Sequence, residues 1–218
     1  ALSSAASDVY KRQVEETRPG EYMPVYENER GTYIFNSKDL CMIGHVPEMI
    51  DAGIDSFKIE GRMKTALYVA TVARTYRKAI DDYMKDPKLY EANMEWYKEE
   101  IGKCTYREFT TGFYFGKPGS DAQIYNSNTY VKNYTYLGTV EEADGKGRCR
   151  IEQKNKFSVG ETIEIMKPDG RNLEVVVKSI CDEDGNGQES APHPKQILWV
   201  DLGADVDKYD ILRKKEDN

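Results

Sequence analysis

The stretch Asp55-Ser56-Phe57-Lys58-Ile59-Glu60-Gly61-Arg62-Met63-Lys64 shows the alternation of a β-strand and then leads into a helix. Successive side chains of a strand point to opposite faces, so Phe57 and Ile59 share one face while Lys58 and Glu60 share the other. Beyond it, apolar residues recur three and four positions apart, as in an amphipathic helix. They are Val69, Val72, Ala73, Tyr76, Ile80 and Tyr83. We therefore predict a strand over residues 54–59 followed by a long helix.

The residues at the start of the chain predict a hairpin. Two β-rich runs, residues 22–26 and 32–35, flank a turn-type sequence that ends at Gly31. Before them, residues 1–13 are small and polar and have no clear helix or strand signature. We expect these thirteen residues to be a leader that is foreign to the fold.

Two short helical patterns lie between the hairpin and the opening stretch. Asn36 or Ser37 can cap a first helix, and Pro47 suits the start of a second helix over residues 48–52. Together with the strand and the long helix, this alternation indicates a parallel α/β unit and predicts the carboxy-terminal part of a β/α barrel of the TIM type. Another helix is expected from residue 88 to about residue 103.

From about residue 130 the chain becomes a series of short strands separated by turn sequences such as Asp144-Gly145. This pattern predicts a small antiparallel β-barrel. The predicted strands cover residues 134–140, 148–153, 161–166, 173–180, 196–200 and 210–212. The predicted fold class is therefore α/β plus all-β, with a β/α-barrel domain over residues 14–117 and a small β-barrel domain over residues 118–218.

The composition is that of a globular protein. The chain has 218 residues, of which 39% are hydrophobic, and a formal net charge of -7. This charge argues against a general polyanion-binding surface but is compatible with a local basic face. Because no apolar run could cross a membrane, we expect a cytoplasmic protein without a membrane partner. The four cysteines lie far apart and include no Cys-x-x-Cys pair, which argues against a disulfide framework or a self-contained zinc site.

The chain resembles peptidase family U-32 in three runs of residues and in their order and spacing. These runs are Val14-Glu15-Glu16-Thr17-Arg18-Pro19-Gly20-Glu21-Tyr22, Tyr33-Ile34-Phe35-Asn36-Ser37-Lys38-Asp39-Leu40-Cys41 and Phe57-Lys58-Ile59-Glu60-Gly61-Arg62-Met63-Lys64. Residues 76–81 and 155–160 are also similar, so the resemblance covers about residues 14–214. Within the family, the chain is most similar to members that take part in hydroxylating the wobble uridine of transfer RNA, and it corresponds to their carboxy-terminal part.

This resemblance implies partners and cofactors as well as a fold. It implies an enzyme that acts on tRNA, with prephenate as an anionic co-substrate and an iron–sulfur cluster held by cysteines. Cys41 falls where the last cluster ligand is expected, and the other ligands would belong to an upstream segment of the amino-terminal barrel. We expect no cofactor in the isolated chain. The resemblance also leaves open collagenase-like proteolysis of a protein substrate as an alternative function.

The opening stretch supplies the candidate catalytic residues. In a β/α barrel, Lys58 and Glu60 would point into the barrel near its carboxy-terminal mouth, where catalytic groups collect. We predict Lys58, Glu60 and Arg62 as catalytic residues. Arg18 and Lys64 are predicted to bind the anionic substrate with them, because basic side chains, and guanidinium groups above all, match carboxylates. The alternative is an ion pair between Lys58 and Glu60 that only orients the strand.

Cys41 has two further interpretations. A cysteine in a short helix is more often a small buried hydrophobe than a ligand. His45 lies four positions later and could form a nucleophilic pair with it on a helix, but Gly44 favours a break between them. The other histidine, His193, lies in an acidic loop flanked by prolines. With no His-Glu-x-x-His motif and no Gly-x-Ser-x-Gly elbow, the residues themselves indicate no proteolytic site.

The predicted β-barrel contains a candidate RNA-binding face, which is the third hypothesis. Arg148 and Arg150 alternate onto one face of a predicted strand, and Lys154 and Lys156 follow closely. Three tyrosines lie nearby, between residues 130 and 136. Basic residues interleaved with aromatic ones can bind the backbone and bases of RNA. The alternative is a solvated strand face with scattered tyrosines.

Overall fold

The structure is a computed structural model that describes residues 11–14, 16, 19–28, 31–33, 36–119, 123–124 and 130–216. The chain forms two compact units, each of which is described by itself. The first unit contains Ala1–Met42 and Tyr106–Val131, and the second contains Ile43–Thr105 and Lys132–Asn218. None of the helices among the described residues has the length and apolar character that a membrane span requires.

The described residues contain short strands, four α-helices and one turn of 3-10 helix, which is Ile43–His45. The strands are β1 (Lys11–Gln13), β2 (Met23–Asn28), β3 (Gly31–Tyr33), β4 (Asn36–Ser37), β5 (Asp39–Leu40), β6 (Thr105–Tyr106), β7 (Phe109–Thr110), β8 (Gln123–Ile124), β9 (Val131–Lys132), β10 (Tyr134–Ala143), β11 (Arg148–Glu152), β12 (Thr162–Met166), β13 (Asn172–Val176), β14 (Ser179–Cys181), β15 (Gly187–Gln188), β16 (Ile197–Asp201) and β17 (Ile211–Lys215). The helices are α1 (Val46–Asp51), α2 (Ala66–Lys85), α3 (Pro87–Ala92) and α4 (Met94–Ile101).

The first unit begins with a three-stranded antiparallel sheet in the order β1-β2-β3. The predicted hairpin is confirmed, because β2 pairs antiparallel with β3, with Asn28 opposite Gly31. Strand β1 adds to the other edge of β2, with Lys11 opposite Val25. Residues 11–13 of the expected leader thus pair with the sheet, residues 1–10 lie outside the described residues, and the foreign leader stays a prediction. Pairing at a sheet edge uses backbone groups, so a polar segment without an apolar pattern can still join a sheet.

The predicted helix after Asn36 is wrong, since residues 36–40 form β4 and β5. Strand β4 pairs antiparallel with β8, and β5 pairs parallel with β7. The backbone N–H of Asp39 donates to the carbonyl of Glu108, and that of Cys41 donates to the carbonyl of Thr110, each over 2.9 Å. These partners lie far along the chain, and their pairing outweighs the local capping signal.

The helices of the second unit largely follow the prediction. Helix α1 has Pro47 in its first turn, and Gly53 follows it with a left-handed φ of 77°. The long helix is α2, where the Thr65 hydroxyl caps the first turn by accepting from the backbone N–H of Tyr68 over 3.3 Å. The helix predicted after residue 88 is instead two helices, α3 and α4, separated at Asn93.

Residues 54–60 carry no regular secondary structure, so the predicted strand over residues 54–59 is wrong for this structure. A parallel strand needs hydrogen-bonded neighbours, and none of the described residues pairs with this segment. Phe57 and Ile59 line a groove of about 320 Å³ together with Ala73, Tyr76 and Ile80 of α2.

An eight-stranded antiparallel sheet, called the C-terminal sheet below, forms the rest of the second unit. Its strand order is β13-β12-β17-β10-β11-β16-β14-β15. The six predicted strands all occur in it, and the one predicted over residues 173–180 is divided into β13 and β14. The sheet curls around an apolar core in which Leu137, Ile151 and Leu198 are completely buried. Burial of such side chains is the main force that stabilises this part of the chain.

A buried group of charges joins the helices to the C-terminal sheet. This group, the Glu100 cluster, consists of Arg74 of α2, Glu100 of α4, Lys103, Glu164 of β12 and Arg213 of β17. Glu100 forms ion pairs with Arg74 and with Arg213, whose Nη2 lies 2.6 Å from Glu100 Oε1. Both arginines and Glu100 are more than nine-tenths buried. Buried charges require such partners, so the cluster fixes how the helices lie on the sheet.

Candidate functional site

The predicted catalytic stretch lies at the surface of the second unit. Lys58, Glu60 and Arg62 are all exposed. The backbone N–H of Arg62 donates to Glu60 Oε1 over 2.8 Å, so the Glu60 carboxylate stabilises the turn into α2. The ammonium of Lys64 lies 4.9 Å from the ring centre of Tyr68, a cation–π contact. Arg18 lies outside the described residues. In this geometry, Lys58 and Arg62 are accessible to an anion from solvent, whereas Lys64 lies against α2.

A polar arrangement that the sequence did not reveal fixes the strands of the first unit. The Arg107 guanidinium donates to Asp39 Oδ1 through Nε (3.1 Å) and Nη2 (2.9 Å), and to Asn36 Oδ1 through Nη1 (2.7 Å). The backbone N–H of Arg107 also donates to Asp39 Oδ2 over 2.9 Å. Charge-assisted bonds of this kind are stronger than neutral ones. They fix β5 beside the strand that follows Arg107, which is β7.

Cys41 directly follows β5 and is half-buried. Its backbone N–H donates to Thr110, so the position of its thiol is set by the pairing of β5 with β7. A metal or iron–sulfur cluster needs several ligands that converge. Among the residues that the structure describes, no three His, Cys, Asp or Glu side chains are close enough to hold a metal ion. The described residues therefore do not form a cluster site by themselves.

The histidines considered for proteolysis lie in the second unit. His45 belongs to the 3-10 turn before α1, and its Nδ1 lies 3.0 Å from Glu48 Oε1. The hydrogen bond to His45 lowers the pKa of Glu48. His193 is exposed in the loop between β15 and β16. His45 thus contacts Glu48 at the start of α1, and His193 lies at the surface. Neither position is that of a general base that activates a nucleophile.

The predicted RNA-binding residues are largely engaged by acidic neighbours. Arg150 forms ion pairs with Glu141, with Glu142 over 3.8 Å and with Glu183 over 3.2 Å. The hydrogen bond that Arg150 donates to Glu183, together with the charges of these carboxylates, raises the pKa of Arg150. Such pairing lowers the net positive potential that an RNA backbone would meet.

The other members of this set differ in their surroundings. Arg148 stacks over Trp199 with 5.7 Å between the guanidinium carbon and the ring centre, and its Nη2 lies 3.3 Å from Cys181 Sγ. Lys154 pairs with Glu152 on the same strand end. Lys156 is exposed. The RNA-binding face therefore presents one stacked arginine and two exposed lysines, of which Lys154 is paired with Glu152, and its role stays a prediction.

Comparisons with known proteins assign both parts of the chain to one family. The sequence profile described as Peptidase family U32 matches residues 7–124, and the profile of the Peptidase family U32 C-terminal domain matches residues 132–213. The tRNA hydroxylation protein P1 of Bacillus subtilis is 37% identical over 191 residues, which are 87% of this chain and 45% of that protein. The tRNA hydroxylation protein P of Escherichia coli is 35% identical over 202 residues, which are 92% of this chain and 44% of that protein. The chain thus spans less than half the length of these relatives.

Solved structures that are similar to the chain include a domain of a family relative. It is the crystal structure of the C-terminal domain of a Geobacillus thermoleovorans protein assigned to the U32 peptidases. It is 31% identical, with a TM-score of 0.35, and the match covers 38% of this chain and 92% of that domain.

Proposed function

Because the chain belongs to peptidase family U32, we propose that it is part of a protein that hydroxylates tRNA, with the wobble uridine as its target. The observation that carries this proposal is the similarity to two tRNA hydroxylation proteins over 87% and 92% of the chain. A tRNA partner follows from the same similarity. We also propose that the protein is cytoplasmic, because its relatives are named for the modification of tRNA.

Within this function, Lys58 and Arg62 are proposed to bind an anionic co-substrate such as prephenate. Their exposure on the turn before α2 supports this role, because a guanidinium and an ammonium on one short segment can contact two carboxylates. Glu60 supports the turn through its bond to the backbone of Arg62. Arg18 and Lys64 remain predicted contributors to the same site.

We also propose that residues 14–117 belong to a β/α barrel in the longer protein. The parallel pairing of β5 and β7 supports this architecture, because parallel strands separated in the chain by helices are the units of such barrels. Cys41, at the end of one of these strands, stays a predicted cluster ligand.

A chimera tests the function. The matching segment of E. coli tRNA hydroxylation protein P would be replaced by this chain and expressed in a strain that lacks the native protein. The hydroxylated uridine is then measured in digested tRNA by mass spectrometry. We expect the chimera to restore the modification. A soluble, folded chimera that leaves tRNA unmodified, while the parent protein restores it, would contradict the proposal.

Variants of the same chimera test the anion site. Arg62→Ala should reduce the modification about tenfold or more, the cost of a lost charge-assisted bond to substrate. Arg77→Ala is the matched control, because Arg77 is also an exposed arginine but pairs with Asp81 on α2. Equal tRNA modification by the two variants would contradict the proposed role of Arg62.

Proteolysis is the alternative from another class, and the name of the family supports it. In the same chimera it predicts cleavage of collagen or casein that disappears in a Cys41→Ser variant. Cleavage without tRNA modification would favour this alternative.

A further inference from the structure

Three consecutive aromatic residues of the first unit point away from its interior. Phe113, Tyr114 and Phe115 are 75%, 57% and 61% exposed. They form the aromatic turn, which follows β7 and is fixed at its base, where the backbone N–H of Gly112 donates to Thr110 Oγ1 over 3.1 Å. Gly112 has a left-handed φ of 58°, and a Cβ there would meet Leu40 Cδ1 at 3.3 Å. The turn is therefore held against β5, and its aromatic rings are presented on a fixed base.

A cavity of about 510 Å³ opens beside the aromatic turn. Its apolar walls come from Leu40, Phe113 and Tyr114, and its polar groups include Ser37 and Gln123. Ser37 and Gln123 are opposite each other on β4 and β8, so strand pairing brings them to the same wall. Apolar walls with a few polar groups, at this volume, are typical of a site for a small flat ligand.

The polar groups of the cavity favour a neutral ligand with a hydrogen-bonding edge. Gln123 lines the cavity, and its Oε1 is buried with no hydrogen-bond partner among the described residues. Turning this amide towards the cavity would let a ligand donor satisfy the oxygen, and buried unsatisfied acceptors are costly. Lys38 also lines the cavity, but its ammonium lies 3.1 Å from Glu108 Oε2, so its charge is already balanced. Among the described residues that line the cavity, the lysine is therefore already paired, which does not favour a phosphate group as the ligand.

We propose that this cavity binds one unstacked nucleobase of tRNA, with Phe113 and Tyr114 stacking on its faces and Gln123 reading its edge. Nucleobases are flat and neutral, and their edges carry both donors and acceptors. Exposed aromatic rings are the usual platforms for bases in single-stranded loops of RNA. The inference rests on the proposed function, because the relatives' names supply tRNA as the nucleic acid.

Binding of a labelled anticodon stem-loop RNA to the whole chain, followed by fluorescence anisotropy, tests this site. A fully paired RNA hairpin of the same length is the second probe. We expect tighter binding of the stem-loop, and Phe113→Ala or Tyr114→Ala should weaken that binding about 5- to 150-fold, the usual effect of losing one stacked base. Tyr114→Phe keeps the ring and should bind as the unchanged chain does.

Tyr209→Ala is the matched control, because Tyr209 is 69% exposed but lies beside the C-terminal sheet of the second unit. Circular dichroism should show that each variant keeps its fold, as expected for exposed positions. Gln123→Leu replaces the amide with an apolar side chain of similar size. It should weaken binding of the stem-loop and leave binding of the paired hairpin unchanged. Equal binding of both RNAs, unchanged binding by Tyr114→Ala, or no binding of either RNA at low salt would overturn the inference.

The chimera separates this inference from the proposed function. If the chimera modifies tRNA and the Phe113→Ala and Tyr114→Ala versions do so equally well, the cavity is not the base site although the function stands. If the stem-loop binds through these residues but the chimera leaves tRNA unmodified, the cavity binds RNA and the proposed hydroxylation is wrong.

Discussion

Replacing Glu100 with alanine should strongly destabilise the second unit. Glu100 is 1% exposed and is the shared partner of Arg74 and Arg213. Its Oε2 also accepts from Asn172 Nδ2 over 2.8 Å and lies 3.3 Å from Lys103 Nζ. The substitution would leave these cations buried with one carboxylate, Glu164, among them.

The expected loss in the free energy of unfolding is about 3–5 kcal/mol, the usual cost of removing one partner of a buried ion pair. Glu95→Ala is the control on the same helix. The Glu95 side chain is 90% exposed and pairs with Lys98, so its loss should cost no more than about 1 kcal/mol. Replacing the charges on both sides, as in Glu100→Leu with Arg213→Met, should recover part of the loss, because no unpaired charge then remains between those two positions.

Urea unfolding, followed by tryptophan fluorescence, measures these values. The chain has two tryptophans, Trp96 on α4 and Trp199 on β16, so Trp→Phe variants separate the helix signal from the sheet signal. The urea midpoints of both signals should shift together in Glu100→Ala, because the Glu100 cluster joins the helices to the C-terminal sheet. A loss below about 1 kcal/mol, equal to that of Glu95→Ala, would refute the reasoning.

The pH dependence of stability gives a second readout of Glu100. Burial alone would raise the pKa of Glu100, but Arg213, Arg74 and Lys103 outweigh it and hold the pKa below its ordinary value of 4.5. A lowered pKa in the folded state means that this stabilisation is present above pH 4.5 and is lost as the pH falls through the folded value. In Glu100→Ala, the stability should therefore depend less steeply on pH in this acid range.

Three other substitutions test separate parts of the fold. Gly147→Ala should lower the free energy of unfolding more than Gly145→Ala does. Both glycines have a left-handed φ, but only at Gly147 would a Cβ meet backbone, at 2.7 Å from Gly203 Cα. Equal urea midpoints for the two variants would contradict this. Tyr97→Phe should cost about 1.5–3 kcal/mol, since the buried hydroxyl donates to Asp82 Oδ2 over 2.5 Å, and thermal unfolding would measure it. Burial raises the pKa of the Cys149 thiol from 9.0 to about 12. The contribution of the neutral thiol to the stability of the fold is therefore full below pH 9.0 and is lost as the pH rises towards 12. Cys149→Ala should flatten that alkaline decline in unfolding titrations.

Local patterns predicted the elements that depend on local interactions. The apolar spacing of α2 and the turn sequences between the later strands correspond to structure at nearly the expected positions. The segment 36–40 failed because its strands pair with residues near 110 and 124, which no local signal connects to it. Residues 54–59 failed for the opposite reason, because a strand pattern does not form a strand where the described residues offer no partner.

The candidate site shows the same limit. The sequence predicted Lys58 on an inward-facing barrel strand, whereas Lys58 and Arg62 lie exposed on the irregular segment and turn before α2. The partners of Arg107 could not be predicted, since Asp39 lies 68 residues away in sequence. The cavity beside Tyr114 was also missed. The run Phe113-Tyr114-Phe115 was a possible signal, because three adjacent aromatics in a glycine-bounded segment have no helix or strand periodicity to explain them.

The Glu100 cluster bears on how this family can change during evolution. The two family profiles divide the chain between residues 124 and 132, yet the cluster has Arg74 and Glu100 on one side of that division and Glu164 and Arg213 on the other. A recombination event that exchanged only the C-terminal region between distant relatives would combine helices and strands whose buried charges had not been selected together. Compatible exchanges would require both regions to keep the same charges or to change them in step. We therefore expect an exchange of the C-terminal region alone to destabilise the protein, and an exchange of both regions together to be tolerated.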